Sequence, residues 1–193
     1  MKARTAAGLV FLLSLVVAGT LGLWYFVGHG DDVGHAPPEH SIHDPVVGLD
    51  PIAARPVPAE ARCPVCGMYP ARYPRWAAQL IFKDGKALFF DSPLELFRFL
   101  LDMGHYHDAH GPNDVARAYV SDAGDGRWVS IVEAYFVAGS ELLGPVHSAD
   151  LPAFAELEAA EAFAAERGGR LIRMEQITLD LLHALEGAGN PHP

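Results

Sequence analysis

An uncharged apolar stretch near the N-terminus limits how this chain can fold. Residues Thr5 to Gly28 carry no charge, and Lys2 and Arg4 stand just before them. A helix needs roughly 20 apolar residues to cross a bilayer, whereas the apolar core of a cleavable signal peptide spans roughly 7 to 15. The stretch has no convincing A-x-A-like cleavage site and no cysteine that could take a lipid. Residues 1–28 are therefore predicted to be an uncleaved transmembrane anchor.

The charges beside this anchor predict its orientation. Positive residues next to a membrane span stay on the cytoplasmic side, so Lys2 and Arg4 place the rest of the chain outside the inner membrane. Trp24 and Tyr25 stand at the far end of the stretch, where aromatic side chains favour the membrane interface. We expect a single-pass inner-membrane protein with its soluble part in the periplasm. A signal peptide that is removed after export is the alternative.

Residues 29–62 are predicted to be a flexible linker. The segment is rich in proline and holds few large apolar side chains, so it cannot bury enough surface to offset the entropy of ordering it. Histidine-rich stretches can bind copper or zinc loosely. A polar linker without a metal role is the simpler interpretation of the histidines in this one, which are His29, His35, His40 and His43.

The first part of the folded region predicts two strands, a helix and a third strand. Residues 77–82 and 87–90 are predicted to be strands. The turn that joins them contains Asp84-Gly85, which favours a type I′ hairpin. The sequence Ser92-Pro93-Leu94-Glu95 predicts a helix start, because serine caps, proline fits the first turn and glutamate completes a capping box. Residues 116–120 then form a short strand. Residues 63–122 are predicted to be a first ββαβ unit.

The second part repeats this order. Residues 128–132 and 134–138 are rich in β-branched and aromatic side chains, which predicts strands, and a short strand at 141–143 follows. An alanine- and glutamate-rich helix over 154–167 ends at Gly168-Gly169, and a strand at 171–174 and a helix at 175–185 complete the chain. Residues 123–188 are predicted to be a second, related ββαβ unit with a C-terminal helix. The fold class is α+β, with helices packed on small antiparallel sheets.

Charge and motif content exclude several functions. The chain has a net charge of −10, and its basic residues are few and unclustered outside the extreme N-terminus, so nucleic-acid binding is not expected. It has only two cysteines, three positions apart, which excludes a fold built on several disulfides. We find no catalytic serine–histidine–aspartate set, phosphate-binding glycine loop or carboxylate pair. The sequence therefore predicts a binding protein and not an enzyme.

Residues Cys63–Met68 combine two cysteines and a methionine within six positions. Thiolate and thioether sulfur atoms are soft ligands that select Cu(I) over hard cations. Gly67 allows a tight bend, so that Cys66 and Met68 can face one ion, and a Cys-x-x-Cys spacing can place Cys63 on the same metal. Copper(I) is the ion that this chemistry favours.

Three other interpretations of the cysteine pair stay open on chemistry alone. A thiol–disulfide oxidoreductase would use Cys63 and Cys66 for redox exchange, but such a pair usually opens a helix after a strand. A structural zinc site would need four ligands, and no second Cys/His pair has suitable spacing. A disulfide between Cys63 and Cys66 that only fixes a loop is the last, and an oxidising compartment permits it.

An ordered set of short motifs covers nearly the whole soluble part. They are Cys63–Met68, Tyr73–Gln79, Phe82–Gly85, Leu88–Asp91, Tyr119–Asp122, Glu133–Val137, Gly139-Ser140 and Gly144-Pro145. In this order and spacing, the chain resembles the nitrous-oxide-reductase accessory (NosL-like) family. The resemblance implies a Cu(I)-binding protein that delivers copper to maturing nitrous-oxide reductase, or to another cuproprotein client, near a membrane copper exporter or assembly complex. It also implies the two ββαβ units.

The resemblance also implies a ligand set. The family's Cys-Gly-Met element corresponds to Cys66 and Met68, and Cys63 is the less certain cysteine. The family often has Gly-Pro-Met-Gly-His after the second-half strands, whereas this chain has Gly144-Pro145-Val146-His147-Ser148. The methionine is absent and the histidine is shifted by one position, so the expected ligands are Cys66, Met68 and His147, with Cys63 compensating. Family members are usually lipoproteins, which is a second departure.

Further histidines lie after the first predicted helix. His105, His107 and His110 follow one another at spacings of two and three. They offer a second copper site or an entry point for the metal, while exposed loop histidines without a metal role are the simpler interpretation. A general periplasmic metal-storage or sensing protein, using the linker histidines, is a further alternative function.

Overall fold

Two antiparallel sheets and four α-helices make up the part of the chain that the computed structural model describes, residues 42–107 and 109–188. These residues all fall within one compact unit. The mixed architecture agrees with the predicted combination of helices and sheets. The strands are β1 (Ile42–His43), β2 (Ala78–Phe82), β3 (Ala87–Phe90), β4 (Val115–Ser121), β5 (Trp128–Ser130), β6 (Tyr135–Ala138), β7 (Ala153–Phe154) and β8 (Arg170–Ile172). The α-helices are α1 (Pro93–Leu101), α2 (Met103–Tyr106), α3 (Leu157–Arg167) and α4 (Leu179–Ala188), and 3-10 turns span Pro70–Arg72, Pro112–Asp114 and Met174–Gln176.

The larger sheet has the strand order β1-β3-β2-β4-β5 and is antiparallel throughout. Its central hairpin confirms the predicted strands, but the predicted type I′ turn is wrong. That turn needs two consecutive residues with positive φ, and only Gly85 has one, at 81°. The Gly85 amide donates to the Phe82 carbonyl at 2.9 Å, so a three-residue connection with glycine in the left-handed position joins the strands.

Helix α1 begins as predicted. The Ser92 side chain accepts a hydrogen bond from the Glu95 amide, and Pro93 occupies the first helical position. Leu94 and Phe97 are buried in the main core beside the even-numbered hairpin residues Leu80 and Phe82. Serine capping and the apolar stripe therefore place the start of α1 immediately after strand β3, and this junction positions the candidate site.

The smaller sheet has the order β7-β6-β8, with helix α3 between β7 and β8 in sequence. In the smaller sheet β6 comes first in sequence and lies between the later strands β7 and β8. In the larger sheet β2 likewise lies between the later strands β3 and β4. Strand β5 pairs with β4 and extends the larger sheet. The predicted strand at 141–143 is not present, because Leu143 makes only an isolated bridge with Ala149.

Both faces of the central hairpin are buried, which explains an unexpected result for the preceding segment. Ile81, Ala87 and Phe89 point away from helix α1 and form a second apolar cluster with Ala61. Ile52 and Val57 pack against this cluster. The sequence predicts a flexible linker over 29–62, whereas residues 42–62 lie on the sheet and cover this face.

Arg55 shows what holds that covering segment. Its side chain is only 3% exposed, and its guanidinium donates to the carbonyls of Pro51 at 2.7 Å and Gly85 at 3.0 Å. Its backbone exchanges two hydrogen bonds with the side-chain amide of Gln79, both at 3.0 Å. Polar contacts between residues far apart in sequence cannot be recognised from the spacing of apolar residues. The composition of the segment therefore predicted a linker.

Among the described residues, no helix has the length and apolar content needed to cross a bilayer. The predicted anchor, residues 1–28, and three of the four linker histidines lie outside the described residues.

Candidate metal centre

The sulfur-bearing segment 63–68 forms a closed loop. The Cys63 amide donates to the Met68 carbonyl and the Gly67 amide donates to the Cys63 carbonyl, each at 2.9 Å. Gly67 has a φ of 74°, in the left-handed region that glycine adopts at little steric cost. The Arg62 guanidinium also donates to the Gly67 carbonyl at 2.9 Å. These bonds hold the loop in one shape and bring its two ends together.

The loop brings both cysteine sulfur atoms to one carboxylate. Among the histidine, cysteine and acidic side chains of the described residues, Cys63, Cys66 and Asp91 form the one group of three whose ligand atoms all lie within 4.8 Å of one another. The Cys66 thiol donates a hydrogen bond to Asp91 Oδ1 at 3.0 Å. Asp91 directly follows strand β3 and precedes the cap of helix α1. The sheet and the helix thus fix the position of the carboxylate.

The surroundings of this group suit a cation. Asp91 is fully buried, and within the described part of the chain its Oδ2 atom has no hydrogen-bond partner. A buried oxygen without a partner carries a desolvation penalty that a metal ion or a proton would relieve. Burial raises the pKa of the Cys63 thiol well above its ordinary value, and its hydrogen bond with Cys66 and the charge of Asp91 raise it further. Metal binding at Cys63 must therefore displace a proton.

Access to the site is through the loop side. Cys63 is buried, whereas Cys66 is exposed and Met68 is half-buried. Met68 lies two positions after Cys66, and its carbonyl closes the loop. Of the two thiols and the carboxylate, Cys66 is therefore the one that a second molecule can reach, because Cys63 and Asp91 are buried.

His147 lies on a different loop and is not part of the cysteine–aspartate group. It is exposed, with a φ of 59°, and it is the non-glycine residue with positive φ in the described part of the chain. Its loop is closed by the Gly144 amide, which donates to the Ser148 carbonyl at 2.8 Å. The role of His147 as a ligand stays a prediction.

Asp150 connects that second loop to the start of helix α1. Its Oδ1 atom accepts hydrogen bonds from the amides of Leu94 at 3.1 Å and Leu151 at 2.7 Å. A Cβ atom on Gly144 would stand 2.3 Å from the Asp150 carboxylate, so only glycine allows this close approach. The loop of His147 therefore packs, through Asp150, against the helix that follows Asp91.

The histidines after α1 bond to one another and to an acidic side chain. His107 Nε2 and His110 Nδ1 are 3.0 Å apart, and His110 Nε2 lies 3.0 Å from an Asp84 carboxylate oxygen. The His110 ring stacks on Phe82 with centroids 4.1 Å apart. This chain of contacts fastens the segment over the hairpin, and these residues do not form a convergent ligand group. His105, on helix α2, makes an edge-to-face ring contact with Tyr106.

The surroundings of the cysteine pair differ from those of a redox-active pair and of a structural zinc site. Cys63 and Cys66 are free thiols. They are followed by the 3-10 turn Pro70–Arg72 and not by a helix whose N-terminus would activate a thiol. The described side chains that converge on the pair supply one carboxylate and no histidine, which falls short of the four ligands of a structural zinc site.

Sequence reasoning found the sulfur atoms but not the carboxylates. Asp91 stands at the end of the motif Leu88–Asp91, and its residue type does not mark it as a ligand for Cu(I), while no motif contains Asp150. The available signal for Asp91 was an acidic residue directly after a wholly apolar strand, where it must be buried at the end of the sheet.

Comparison with known proteins assigns the chain to a class. The copper-binding lipoprotein NosL of Stutzerimonas stutzeri is 32% identical over 144 residues, covering 67% of this chain and 75% of that protein. The crystal structure of the copper chaperone NosL from Shewanella denitrificans matches with a TM-score of 0.58 and 29% identity, covering 68% of this chain and 99% of that one. Proteins so named bind and carry a metal and are not enzymes, which agrees with the sequence-based expectation.

The family follows from the extent of the match. The family model described as NosL matches residues 54–182. This chain therefore belongs to the NosL family, and its mixed helix and sheet fold is similar to that of the solved copper chaperone.

Proposed function

We propose that this protein is a membrane-anchored carrier that binds Cu(I) outside the inner membrane and delivers it for the maturation of nitrous-oxide reductase. The observation that carries the proposal is the convergence of Cys63, Cys66 and Asp91, with Met68 on the same closed loop. Two thiolates and a thioether are soft ligands that favour Cu(I) over zinc or calcium. The matched relatives are named for copper binding and copper chaperoning.

Each residue has a separate task in this proposal. Cys66 and Met68 bind the ion at the surface, and Cys63 supplies a second sulfur from below once its proton has left. In the metal-free state Asp91 accepts a hydrogen bond from the Cys66 thiol. In the loaded state its negative charge stabilises the cation. His147 completes the ligand set from the second loop, which Asp150 holds against helix α1.

The exposure of Cys66 supports transfer as well as storage. A carrier must release its ion to the ligands of a client, and an exposed thiol can be replaced first while the buried Cys63 still holds the ion. A site with few ligands lets this exchange proceed stepwise. Affinity should fall at acid pH, because the thiolate ligands must be deprotonated.

We also propose the cellular setting. The apolar stretch of residues 5–28 forms a single-pass inner-membrane helix that keeps the soluble part in the periplasm. A matched relative is named as a lipoprotein, which supports membrane association by another route. Anchoring raises the effective concentration of the carrier near a membrane copper exporter or assembly complex. The soluble part consists of two related ββαβ units, a view that the shared strand order of β3-β2-β4 and β7-β6-β8 supports.

Anaerobic Cu(I) titration of the reduced full-length protein in detergent, against a competing chromophoric chelator, tests the binding site. We expect one tight equivalent in the wild type. Cys66→Ser should lose at least about a hundredfold in affinity and Met68→Leu roughly tenfold, which corresponds to about 2.7 and 1.4 kcal/mol. Met174→Leu is the matched control, because Met174 is also half-buried but lies outside the loop.

Two results of that titration contradict the proposal. One is the absence of tight Cu(I) binding in the reduced wild type. The other is equal loss in Met68→Leu and Met174→Leu, because this would assign the effect to the general loss of a thioether and not to the loop. Tight binding by the Cys63–Cys66 disulfide form would also overturn the assignment of these sulfur atoms as ligands.

A further inference from the structure

Two arginine side chains share one tyrosine ring beside the metal loop. The guanidinium carbon of Arg62 lies 3.8 Å from the centroid of the Tyr69 ring, and that of Arg72 lies 4.5 Å from the same centroid. A guanidinium over an aromatic face is attracted by the ring quadrupole. The tyrosine ring therefore has two positively charged side chains in contact with it. We call Arg62, Tyr69 and Arg72 the arginine face.

The positive charge of this face is not neutralised within the described residues. The Arg62 guanidinium donates to the Gly67 carbonyl and lies over the Tyr69 ring, and the Arg72 guanidinium lies over the same ring. Among the described residues neither guanidinium pairs with a carboxylate. By contrast, Arg98 and Arg127 each pair with acidic side chains. Two like charges close together repel each other, and an external carboxylate would relieve that repulsion.

The face also stands apart from the charge of the whole chain. No aspartate or glutamate occurs between Glu60 and Asp84, although the net charge of the protein is −10. The sequence suggested that basic residues are unclustered beyond the N-terminus. The fold changes this, because residues ten positions apart meet at the Tyr69 ring.

The arginine face borders the candidate metal site on both sides of the loop. Arg62 directly precedes Cys63 and donates to the carbonyl of Gly67, next to the exposed Cys66. Tyr69 directly follows Met68. A molecule that docks on this face therefore brings its own groups next to the exposed thiol.

We propose that the arginine face is the docking surface for the carboxylate-rich surface of the protein that exchanges metal with this carrier. The proposal rests on the proposed carrier function, and it assigns the partner's chemistry: aspartate and glutamate side chains arranged around its own metal-accepting ligands. Arginine suits this task because its planar guanidinium binds a carboxylate through two parallel hydrogen bonds. Complementary charge would speed the encounter and set the orientation of the two sites.

An anionic membrane surface is the competing occupant, and the position of the face argues against it. Arg62 bonds to Gly67, the residue after the exposed Cys66, so contact of lipid headgroups with this arginine would cover the loop whose thiol has to meet a client. A protein partner instead gains from having its ligands beside that thiol. The two occupants also differ in what they present, because lipid headgroups offer phosphates and a protein surface offers carboxylates.

The test uses a fluorescein-labelled peptide of glutamate residues as the probe and the reduced, metal-free, full-length protein in a nonionic detergent. Fluorescence anisotropy is recorded at about 0.02 M and about 0.15 M salt, between which screening of exposed charges increases strongly. We expect the wild type to bind the peptide more weakly at the higher salt. Arg72→Ala should weaken binding several-fold, and Arg72→Glu roughly tenfold at low salt, since reversal adds repulsion.

Arg117→Glu is the matched control. Arg117 is an exposed arginine on strand β4 whose guanidinium donates to the carbonyl of its own neighbour, Ala116. Its reversal changes the net charge of the protein by the same amount as that of Arg72. We expect less than about a twofold effect on peptide binding. Arg62 is left unchanged because its hydrogen bond to Gly67 supports the loop. Equal losses in the Arg72→Glu and Arg117→Glu variants, or no binding by the wild type, would overturn the proposal.

Two parallel measurements separate the remaining outcomes. Thermophoresis with glycerol phosphate, a soluble analogue of an anionic lipid headgroup, assigns the face to lipid, and overturns the proposal, if glycerol phosphate binds in an Arg72-dependent way while the peptide does not. Cu(I) titration of the same samples tests the carrier function on its own. If peptide binding depends on Arg72 but Cu(I) is not bound tightly, the carrier function is wrong and the docking surface stands. If Cu(I) is bound tightly but the peptide is not bound, only the docking surface is wrong.

Discussion

The two loops that meet near the start of helix α1 have similar backbones and different chemistry. Each is closed by a short backbone hydrogen bond between its ends, and each has one residue in the left-handed region, Gly67 in the first and His147 in the second. The first loop carries three sulfur atoms and the second none. The comparison teaches that the two loops share a backbone geometry, and that the soft donor atoms of the candidate site come from the side chains of the first loop alone.

The carboxylates behind the two loops differ in how they are used. Asp150 accepts hydrogen bonds from two backbone amides and also bonds to the Ser92 side chain, so it acts as a structural link. Asp91 receives the Cys66 thiol on one oxygen, while its other oxygen has no partner among the described residues. The hydrogen bonds of Asp150 are therefore used by the fold, whereas Asp91 keeps one oxygen that can still accept a bond.

The largest expected effect comes from exchanging these acids for amides. Asp91→Asn should lower Cu(I) affinity by roughly 10- to 100-fold, the range seen when groups that support metal ligands are removed. Asp150→Asn should change the affinity by less than about threefold, because an asparagine oxygen can still accept from the Leu94 and Leu151 amides. Chelator competition on the two variants measures both values. Equal losses in both would mean that Asp91 has no special role at the site.

The second expected effect compares the two left-handed residues. Gly67→Ala should destabilise the metal-free protein by about 1–2 kcal/mol, the cost of placing a Cβ atom at positive φ. Apart from its two chain neighbours, no atom of the described residues lies within 4 Å of the position that the Cβ would take, so the effect comes from the backbone alone. His147→Gly should be neutral or stabilising by less than about 1 kcal/mol, because it relieves the same conformation while loosening the unfolded chain.

Denaturant unfolding of both variants measures these changes. Destabilisation by His147→Gly of more than about 1 kcal/mol would show that the histidine side chain makes contacts that the fold needs. The second loop would then be an integral part of the structure, and the contrast between the loops would have to be redrawn.

The third expected effect concerns pH and Glu95, a buried acid on helix α1. Burial raises the pKa of Glu95 to about 7 from an ordinary 4.5, while Arg98 opposes the shift and the charges of Asp91 and Asp150 add to it. The folded state therefore holds the Glu95 proton more tightly than the unfolded state does. The stabilisation is complete below about pH 4.5 and is lost as the pH rises through about 7.

Glu95→Gln should remove most of that loss of stability. Burial also raises the pKa of Asp150, to about 6, so a smaller dependence should remain in the variant. Between pH 5 and pH 8 the wild type should lose roughly 1–3 kcal/mol more than the variant, as measured by denaturant unfolding at each pH. If the two proteins showed parallel pH profiles, Glu95 would not be the titrating group.

Local signals predicted the fold where it depends on neighbours in sequence. Strand β3 and the Ser92 cap were predicted because apolar runs and capping residues act over a few positions. The cover formed by residues 42–62 was missed because Arg55 is held by Gly85 and Gln79, which lie far along the chain. The turn at Gly85 was assigned the wrong type, since the dipeptide suits more than one turn.

The same division applies to the candidate site. Cys63, Cys66 and Met68 were predicted from residue type and spacing alone. Asp91 lies 25 positions from Cys66, and only the packing of the loop against the end of strand β3 brings them together. The arginine face was missed for the same reason, because its two charges meet only when the loop between them closes.

X-ray absorption spectroscopy of the Cu(I)-loaded, full-length protein tests the central claim most directly. The account predicts that sulfur atoms dominate the nearest neighbours of copper, and that their number decreases by one in Cys66→Ser and by one in Met68→Leu. A spectrum with only nitrogen and oxygen neighbours would place the copper on histidines or carboxylates elsewhere, and would contradict the assignment of the loop 63–68 as the metal site.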